Sequence, residues 1–250
     1  MKTILITGAS GGIGRECAIL LSSVHNIIIV GRNKDGLMET KRSCSTNCCV
    51  EIIVADISKS SDVKNLFSSL NKKNITVDWL INNAGMGDYG LFKDVDIEKQ
   101  KSMIDCNVSG LVEVTWNYLN QSSFPKNGRI LNLCSVASFF PGPYMSVYFA
   151  SKAFVLSFSE ALMEELKSDS ISVTAFCPGP TKTNFSSTAG VVFPENIPEA
   201  KEVAHLAISA MTNNKRIVVV GRANKRLVFL ARIFSRRRIR QMMEKRRRPK

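Results

Sequence analysis

The chain has 250 residues, of which 44% are hydrophobic and 22% charged, a composition ordinary for one large α/β domain or two small ones. Its formal net charge of +13 is localised, because residues 225–250 hold twelve Lys or Arg against the single acid Glu244. The basicity is therefore a property of this segment. No recognised nucleic-acid-binding motif or aromatic stacking platform accompanies it, so a nucleic-acid partner is not expected.

The cysteines and the hydropathy exclude further classes of protein. Seven cysteines, an odd number scattered through apolar segments, predict reduced thiols in a cytoplasmic compartment rather than a disulfide scaffold. Cys44, Cys48 and Cys49 form a local cluster, but without a second cluster and with two histidines in the chain no metal site is expected. We expect no signal peptide before the first strand and no apolar run of about 18 residues to span a bilayer.

The first predicted strand, residues 2–7, ends in the glycine-rich stretch T-G-A-S-G-G-I-G, and a helical pattern follows through Leu21. In this context Gly8 permits a tight turn, Gly12 lets the backbone approach a pyrophosphate, and Gly14 allows the helix to pack closely on the strand. Free N–H groups at the start of the helix would face the phosphates. The stretch predicts a dinucleotide site, with a purely structural turn as the alternative.

The second predicted strand, residues 27–30, runs into Gly31, Arg32 and Asn33. In dinucleotide-binding folds an acid near this position holds the ribose diol of NAD, whereas a basic residue accommodates the 2′-phosphate of NADP. Because Arg32 stands here, we predict that NADP(H) is preferred, and NAD(H) stays open as the alternative. A solvent-facing Arg at the end of a strand would carry no such meaning.

Strands and helices continue to alternate along the chain. Further strands are predicted at residues 51–55, 77–81, 129–134, 171–176 and 216–220. Helices are predicted at residues 61–70, 97–119, 147–167 and 199–211, and a long loop at 181–198. The pattern predicts an α/β fold, a Rossmann-type doubly wound parallel sheet of about seven strands with helices on both faces. Such sheets bind ligands beyond the carboxyl ends of their strands, where the motifs of this chain fall.

Tyr148 and Lys152 lie four residues apart in a predicted helix, on one face and one turn apart. A phenol has a pKa of about 10 and needs a fixed cation to act near neutral pH, which Lys152 can be. Ser135, at the end of a predicted strand, can donate a hydrogen bond to a nearby carbonyl oxygen. The alternative is a polar pair on an ordinary amphipathic helix. Asn107, a poor helix former inside another helix, is expected to serve the site or mark a kink.

Together these motifs resemble the short-chain dehydrogenase/reductase family over residues 1–221, and most of all the bacterial branch often called DltE-like. The family's T-G-x-x-x-G-x-G falls on residues 7–14, its N-N-A-G on 82–85, and its P-G-x-x-x-T on 178–183. The resemblance implies catalytic residues Asn107, Ser135, Tyr148 and Lys152. It also implies a cofactor site made of Thr7, Gly8, Ser10, Gly12, Ile13, Gly14, Arg32, Asp56, Ile57, Asn83, Ala84, Gly85, Tyr148, Lys152, Pro178, Gly179, Thr181 and Thr183.

The reaction implied by the resemblance is hydride transfer between a nicotinamide and a carbonyl or alcohol. Tyr148 would donate a proton to the carbonyl oxygen during reduction, or remove one from the alcohol during oxidation. Ser135 would polarise that oxygen. Lys152 would lower the pKa of Tyr148 and bind the nicotinamide ribose, while Asn107 would hold a water that links Lys152 to solvent. A non-catalytic dinucleotide-binding scaffold on the same fold is the alternative that these four residues disfavour.

Apolar residues flank the catalytic stretch and occupy the long loop, which itself predicts a lid over the site. We expect the substrate to be lined by Met86, Phe139, Phe140, Met145, Phe185 and Phe193. A lining without a cluster of charge favours an apolar ketone, aldehyde or secondary alcohol. A 3-oxoacyl group on an acidic carrier protein is the alternative. As partners we expect further copies of this chain, in a homo-oligomer that is a dimer or tetramer.

The basic segment has apolar residues at helical spacing, namely Leu227, Leu230, Ala231 and Phe234. This pattern predicts a basic amphipathic C-terminal helix, which makes residues 222–250 an extension of a domain formed by residues 1–221. Such a helix can lie in the interface of an anionic membrane, so we predict peripheral contact with its inner face. In the alternative, the first half packs on the domain or on a subunit partner while residues 245–250 stay solvated.

Overall fold

A parallel sheet forms the centre of the computed structural model, which describes residues 1–122 and 127–248. Its strands are β1 Thr3–Thr7, β2 Asn26–Gly31, β3 Val50–Val54, β4 Trp79–Asn82, β5 Arg129–Leu133, β6 Ser172–Cys177 and β7 Ile217–Val219. Within these described residues the order across the sheet is β3-β2-β1-β4-β5-β6-β7, and all pairs are parallel. The predicted Rossmann-type fold is confirmed, with the change of winding direction between β1 and β4.

The central strand β1 is buried on both faces of the sheet. Ile4 and Ile6 belong to one apolar cluster, whereas Leu5 between them belongs to the cluster on the opposite face. All three side chains are fully buried. Successive side chains of a strand point to opposite faces, so an uninterrupted apolar run is stable where helices cover both.

Helices supply that cover. They are α1 Gly12–Leu21, α2 Lys34–Ser43, α3 Ser60–Lys72, α4 Ile97–Ile104, α5 Leu111–Leu119, α6 Ser146–Glu165, α7 Phe185–Ala189, α8 Ala200–Thr212, α9 Arg222–Ile233 and α10 Arg236–Arg247. The cluster containing Ile4 is covered by α1, α2 and α8. The cluster containing Leu5 is covered by α3, α5 and α6.

Several local features depart from the elements predicted from the sequence, and one is the short helix α7 inside the loop predicted at residues 181–198. The helix expected at residues 97–119 is divided by a π-helical turn, Asp105–Gly110, so Asn107 does mark a local change of geometry. The helix α2 was not predicted, because its sequence is polar and its buried positions are Gly36, Leu37 and Thr40. It begins where the Asn33 side chain accepts a hydrogen bond from the Gly36 N–H at 3.1 Å.

The basic segment forms two helices rather than one. The backbone becomes extended at Phe234 after α9, and the Ser235 side chain then accepts a hydrogen bond from the Arg238 N–H at the start of α10. Val228 of α9 and Ile239 and Met243 of α10 are buried against the segment that precedes α6. Both helices therefore pack on the rest of the chain; residues 249–250 of the predicted segment lie outside the described residues. Among the described helices, none combines the length and the apolar character needed to cross a membrane.

Candidate active site

A cleft of about 380 Å³ opens at the carboxyl edge of the sheet, around the point where β1 and β4 lie side by side. Its walls come from the carboxyl ends of six strands, β1 to β6, from the start of α1 and from α6 and α7. Of the residues predicted for the cofactor, those that line it are Gly8, Ser10, Gly12, Ile13, Arg32, Asp56, Ile57, Asn83, Ala84, Gly85, Tyr148, Lys152, Pro178, Gly179, Thr181 and Thr183. The tertiary structure thus brings residues that lie far apart in sequence to one edge.

The glycine-rich turn is shaped for close approach of a ligand to the backbone. Gly8 and Gly12 have φ angles of +67° and +55°, a left-handed conformation that favours glycine. A Cβ atom on Gly14 would lie 2.6 Å from the carbonyl oxygen of Gly8, so only glycine lets α1 pack this closely. No side chain caps the start of α1. Its first N–H groups are thus available to phosphate oxygens, and the turn fits a dinucleotide.

Thr7 and Gly14 do not line the cleft, unlike the other residues predicted for the cofactor. Thr7 is fully buried, and its hydroxyl oxygen accepts hydrogen bonds from the N–H groups of Asn83 and Ala84, each at 3.1 Å. The Asn83 amide in turn donates to the carbonyl oxygens of Thr7 and Gly8 at 3.0 Å. These contacts join the ends of β1 and β4. Thr7 therefore stabilises the glycine-rich turn through hydrogen bonds, and Gly14 stabilises it by letting α1 pack closely against it.

A basic and an acidic side chain lie near the ends of β2 and β3. Arg32 is 64% exposed, and its Nη1 lies 3.8 Å from Oδ2 of Asp56. The other carboxylate oxygen of Asp56 accepts a hydrogen bond from the Ser58 hydroxyl at 2.7 Å. A long, exposed ion pair contributes little to stability, so Arg32 can turn toward a ligand anion at little cost.

The Tyr–Lys pair faces the same cleft. Tyr148 and Lys152 lie one turn apart on α6, and Ser135 follows the end of β5. Burial raises the pKa of Tyr148, whereas a hydrogen bond with Ser135 and the positive charge of Arg247 lower it. Burial lowers the pKa of Lys152, whose Nζ donates a hydrogen bond to the carbonyl oxygen of Leu133 at 2.7 Å.

Asn107 lies behind this pair and is buried outside the lining of the cleft. Its amide nitrogen donates to the Met86 carbonyl oxygen at 2.8 Å and to the Ser151 hydroxyl at 3.0 Å. Its Oδ1 accepts from the Met86 N–H at 2.9 Å. A Cβ on Gly85 would lie 3.3 Å from this Oδ1 and 3.4 Å from Nζ of Lys152. The π-helical turn therefore brings Asn107 close to Lys152.

The residues expected to line the substrate divide into two groups. Met86 and Phe185 line the cleft, and the Phe185 ring lies 5.3 Å from that of Tyr148. Phe139, Phe140, Met145 and Phe193 lie outside this lining, so their contact with substrate stays a prediction. Phe140 and Met145 are core residues here because α9 and α10 cover them. Met145 and Tyr148 also line a separate, smaller pocket.

Several residues of the cleft were missed by the sequence analysis. They are Gly11, Val30, Gly31, Asn33, Ala55, Gly87, Cys106, Leu133, Cys134, Asn184 and Thr188. Most are sequence neighbours of predicted residues, so extending each motif by one or two positions would have found them. Arg247 lies outside the lining, and no motif connects it with Tyr148; only the packing of α10 brings its charge near.

Comparison with known proteins identifies the family. A sequence model of short chain dehydrogenases matches residues 2–190. An uncharacterized oxidoreductase of Staphylococcus epidermidis is 31% identical over 223 residues, which cover 87% of this chain and 94% of that protein. Sulfoacetaldehyde reductase 2 of Chromohalobacter salexigens is 35% identical over 186 residues, which cover 73% of this chain and 74% of that protein.

Solved structures agree with this match. A short-chain dehydrogenase from Sphingobium yanoikuyae in complex with NADPH has a TM-score of 0.81 at 30% identity, covering 93% of this chain and 94% of its own. A short-chain dehydrogenase/reductase from Burkholderia phymatum in complex with NAD has the same TM-score at 22% identity, and the match covers 92% of each chain. This similarity supports the fold assigned to the present chain. The chain belongs to the short-chain dehydrogenase family. It is an NAD(P)-dependent oxidoreductase, with a cleft for a nicotinamide dinucleotide.

Proposed function

We propose that the enzyme transfers hydride between NADP(H) and an apolar ketone, aldehyde or secondary alcohol, with Tyr148 as general acid and base. The observation that carries this proposal is the meeting of Tyr148, Ser135 and Lys152 in the cleft that also contains the glycine-rich turn. When bound, the nicotinamide supplies or accepts the hydride. The remaining chemistry is proton transfer and charge stabilisation, which these side chains perform.

Each side chain has one task in this mechanism. Tyr148 gives its phenolic proton to the carbonyl oxygen in reduction, and it takes the proton from the alcohol in oxidation. Ser135 hydrogen-bonds the same oxygen as charge develops there. Lys152 stabilises the phenolate by its positive charge, and Asn107 holds the backbone of Met86 and the Ser151 hydroxyl in place beside it.

The preference for NADPH rests on Arg32, which directly follows β2 at the position where an acidic residue would favour NAD. A guanidinium there can bind a 2′-phosphate through charge-assisted hydrogen bonds. Its neighbour Asp56 holds Ser58 with one oxygen, so the carboxylate is partly engaged in the structure of its own loop.

An assay of matched carbonyl compounds tests the substrate class. The apolar wall formed by Met86 and Phe185 should favour longer alkyl ketones and aldehydes over chains of the same length that carry hydroxyl groups. Each buried methylene contributes about 0.8 kcal/mol, so kcat/KM should rise about fourfold for each added carbon until the cleft is filled. NADPH oxidation at 340 nm gives the rates. If polyhydroxylated analogues of equal length react faster, or if no carbonyl compound is reduced, the proposed substrate class is wrong.

We also propose that the outer face of the C-terminal helices contacts an anionic membrane. Phe229 and Ile233 of α9 are each 62% exposed, and Phe234 after them is 41% exposed. Exposed arginines surround them, including Arg226 and Arg232. Apolar side chains can enter the acyl boundary while each nearby Lys or Arg contributes about 1 kcal/mol on an anionic surface. The buried face of the same helices remains packed on the enzyme.

Sedimentation with lipid vesicles tests this contact. The full chain should bind vesicles that contain phosphatidylglycerol about tenfold more tightly than vesicles of phosphatidylcholine, and less at high salt. Phe229→Ser with Ile233→Ser should weaken the binding, because the apolar anchors are lost. Val24→Ser with Leu206→Ser, also at exposed apolar positions, is the matched control. Equal binding of both double variants would exclude this face as the membrane contact.

A further inference from the structure

The end of α10 packs beside the first turn of α6, and Arg247 there lies next to the cleft but outside its lining. The Tyr89 hydroxyl donates a hydrogen bond to the carbonyl oxygen of Arg247 at 2.5 Å. The Tyr89 ring stacks with that of Tyr144, their centroids 6.0 Å apart. One turn earlier, Met243 is 5% exposed in the apolar cluster that contains Phe149. These contacts position Arg247 relative to α6, the helix that carries Tyr148.

The Arg247 guanidinium lies on the aromatic ring next to the proposed acid. Its Cζ is 4.4 Å from the ring centroid of Phe149, whose ring centroid lies 5.9 Å from that of Tyr148. Its Nη1 contacts the sulfur of Met145 at 2.8 Å. The positive charge lowers the pKa of Tyr148, so the two groups interact electrostatically. Arg247 therefore brings a cation to a region that the sequence predicted to be apolar.

This cation has no acidic partner within residues 1–122 and 127–248. None of their ion pairs involves Arg247, whereas the adjacent Arg248 pairs with Glu244 at 2.9 Å. The thioether of Met145 and the ring of Phe149 do not neutralise a charge. Burial lowers the pKa of Arg247, which indicates partial desolvation of the guanidinium. A partly desolvated cation without a counter-charge favours the binding of an anion.

We propose that Arg247 is a specificity-determining residue that binds an anionic group on the substrate, a carboxylate or a sulfonate. The inference rests on the proposed function, because it names what the same site selects. The apolar carbon chain lies against Phe185, with the carbonyl at Tyr148 and the anionic end at Arg247. A guanidinium suits this task, since its planar N–H groups form paired, charge-assisted hydrogen bonds with such anions.

Matched aldehydes test the inference. 4-Oxobutanoate and butanal have the same chain length and differ in the carboxylate, and 3-oxopropane-1-sulfonate carries a sulfonate instead. With NADPH, the wild type should have a kcat/KM about 10- to 100-fold higher for an anionic aldehyde than for butanal, the range for a charge-assisted contact. In Arg247→Gln this ratio should fall close to one. Arg247→Lys should recover part of it, because the charge returns without the planar geometry.

Arg246→Gln is the matched control, because Arg246 is exposed and carries the same charge one position earlier. This variant should keep the wild-type ratio. The inference is overturned if the wild type has no preference for either anionic aldehyde, or if the ratio survives in Arg247→Gln. If kcat/KM in Arg247→Gln falls equally for charged and neutral aldehydes, the role of Arg247 is purely structural and the inference is also overturned.

A binding measurement separates this inference from the proposed function, because it needs no turnover. Butanoate and butanamide have the same size and differ in charge. Their dissociation constants for the enzyme–NADPH complex follow from the change in NADPH fluorescence. Butanoate should bind at least about tenfold more tightly to the wild type, and this advantage should vanish in Arg247→Gln. If butanoate binds more tightly than butanamide but no aldehyde is reduced, only the proposed reaction is contradicted. If butanoate binds no more tightly than butanamide, the anion site is contradicted.

Discussion

Replacement of Tyr148 by Phe is expected to lower kcat/KM for carbonyl reduction by about 10²- to 10⁴-fold, the usual contribution of a general acid. The ring itself contacts Phe149 and Phe185, and Phe preserves these contacts. The Kd for NADPH, measured by fluorescence, should therefore stay within about twofold of the wild type, a difference below 0.5 kcal/mol. Lys152→Ala should impair both quantities, because Lys152 acts on the phenol and lines the nucleotide cleft.

Tyr144→Phe is the control for this experiment, since Tyr144 precedes α6 and lies outside the lining of the main cleft. It should retain most of the activity.

The pH profile provides a second check. Reduction needs the protonated phenol, so kcat/KM should fall as the pH rises through the pKa of Tyr148, and oxidation should show the opposite trend. The hydrogen bond with Ser135 lowers this pKa, so Ser135→Ala should move the falling limb to higher pH. Wild-type activity in Tyr148→Phe would refute the assignment.

Replacement of Arg32 by Asp is expected to change the cofactor preference. The wild type should use NADPH with a kcat/KM at least about tenfold above that for NADH, because a charge-assisted contact is added. In Arg32→Asp the attraction between residue 32 and the 2′-phosphate becomes a repulsion. The ratio of kcat/KM for NADPH to kcat/KM for NADH should therefore fall by about 10²- to 10³-fold. The new carboxylate would also lie near Asp56, so Arg32→Ser is needed to separate lost attraction from added repulsion.

Lys34→Asp makes the same change of charge two residues away, at an exposed position outside the lining of the cleft. Its cofactor preference should match that of the wild type. Steady-state rates with both cofactors, at one ionic strength, give the ratios for all variants. A wild type that prefers NADH, or an equal shift in Lys34→Asp and Arg32→Asp, would contradict the role of Arg32.

The sequence alone predicted the sheet and the dinucleotide cleft, because both depend on local patterns. The apolar residues of β1 predict a strand buried on both faces, and the spacing of Gly8, Gly12 and Gly14 allows few backbone conformations. Parallel strands then deliver their carboxyl ends to one edge whatever the details of packing. By contrast, α2 was missed because it buries few apolar side chains, and Asn107 suggested a kink without indicating that the turn is π-helical.

Only the tertiary structure decided what the C-terminal segment does. Its charges and apolar spacing fit a membrane-bound helix as well as a packed one, because periodicity defines a face without naming what covers it. The structure buries Ile239 and Met243 against Phe149, which brings Arg247 near Tyr148 from 99 positions further along the chain. Long-range packing determines such a contact, so the local motifs around Tyr148 could not predict that a cation lies near it.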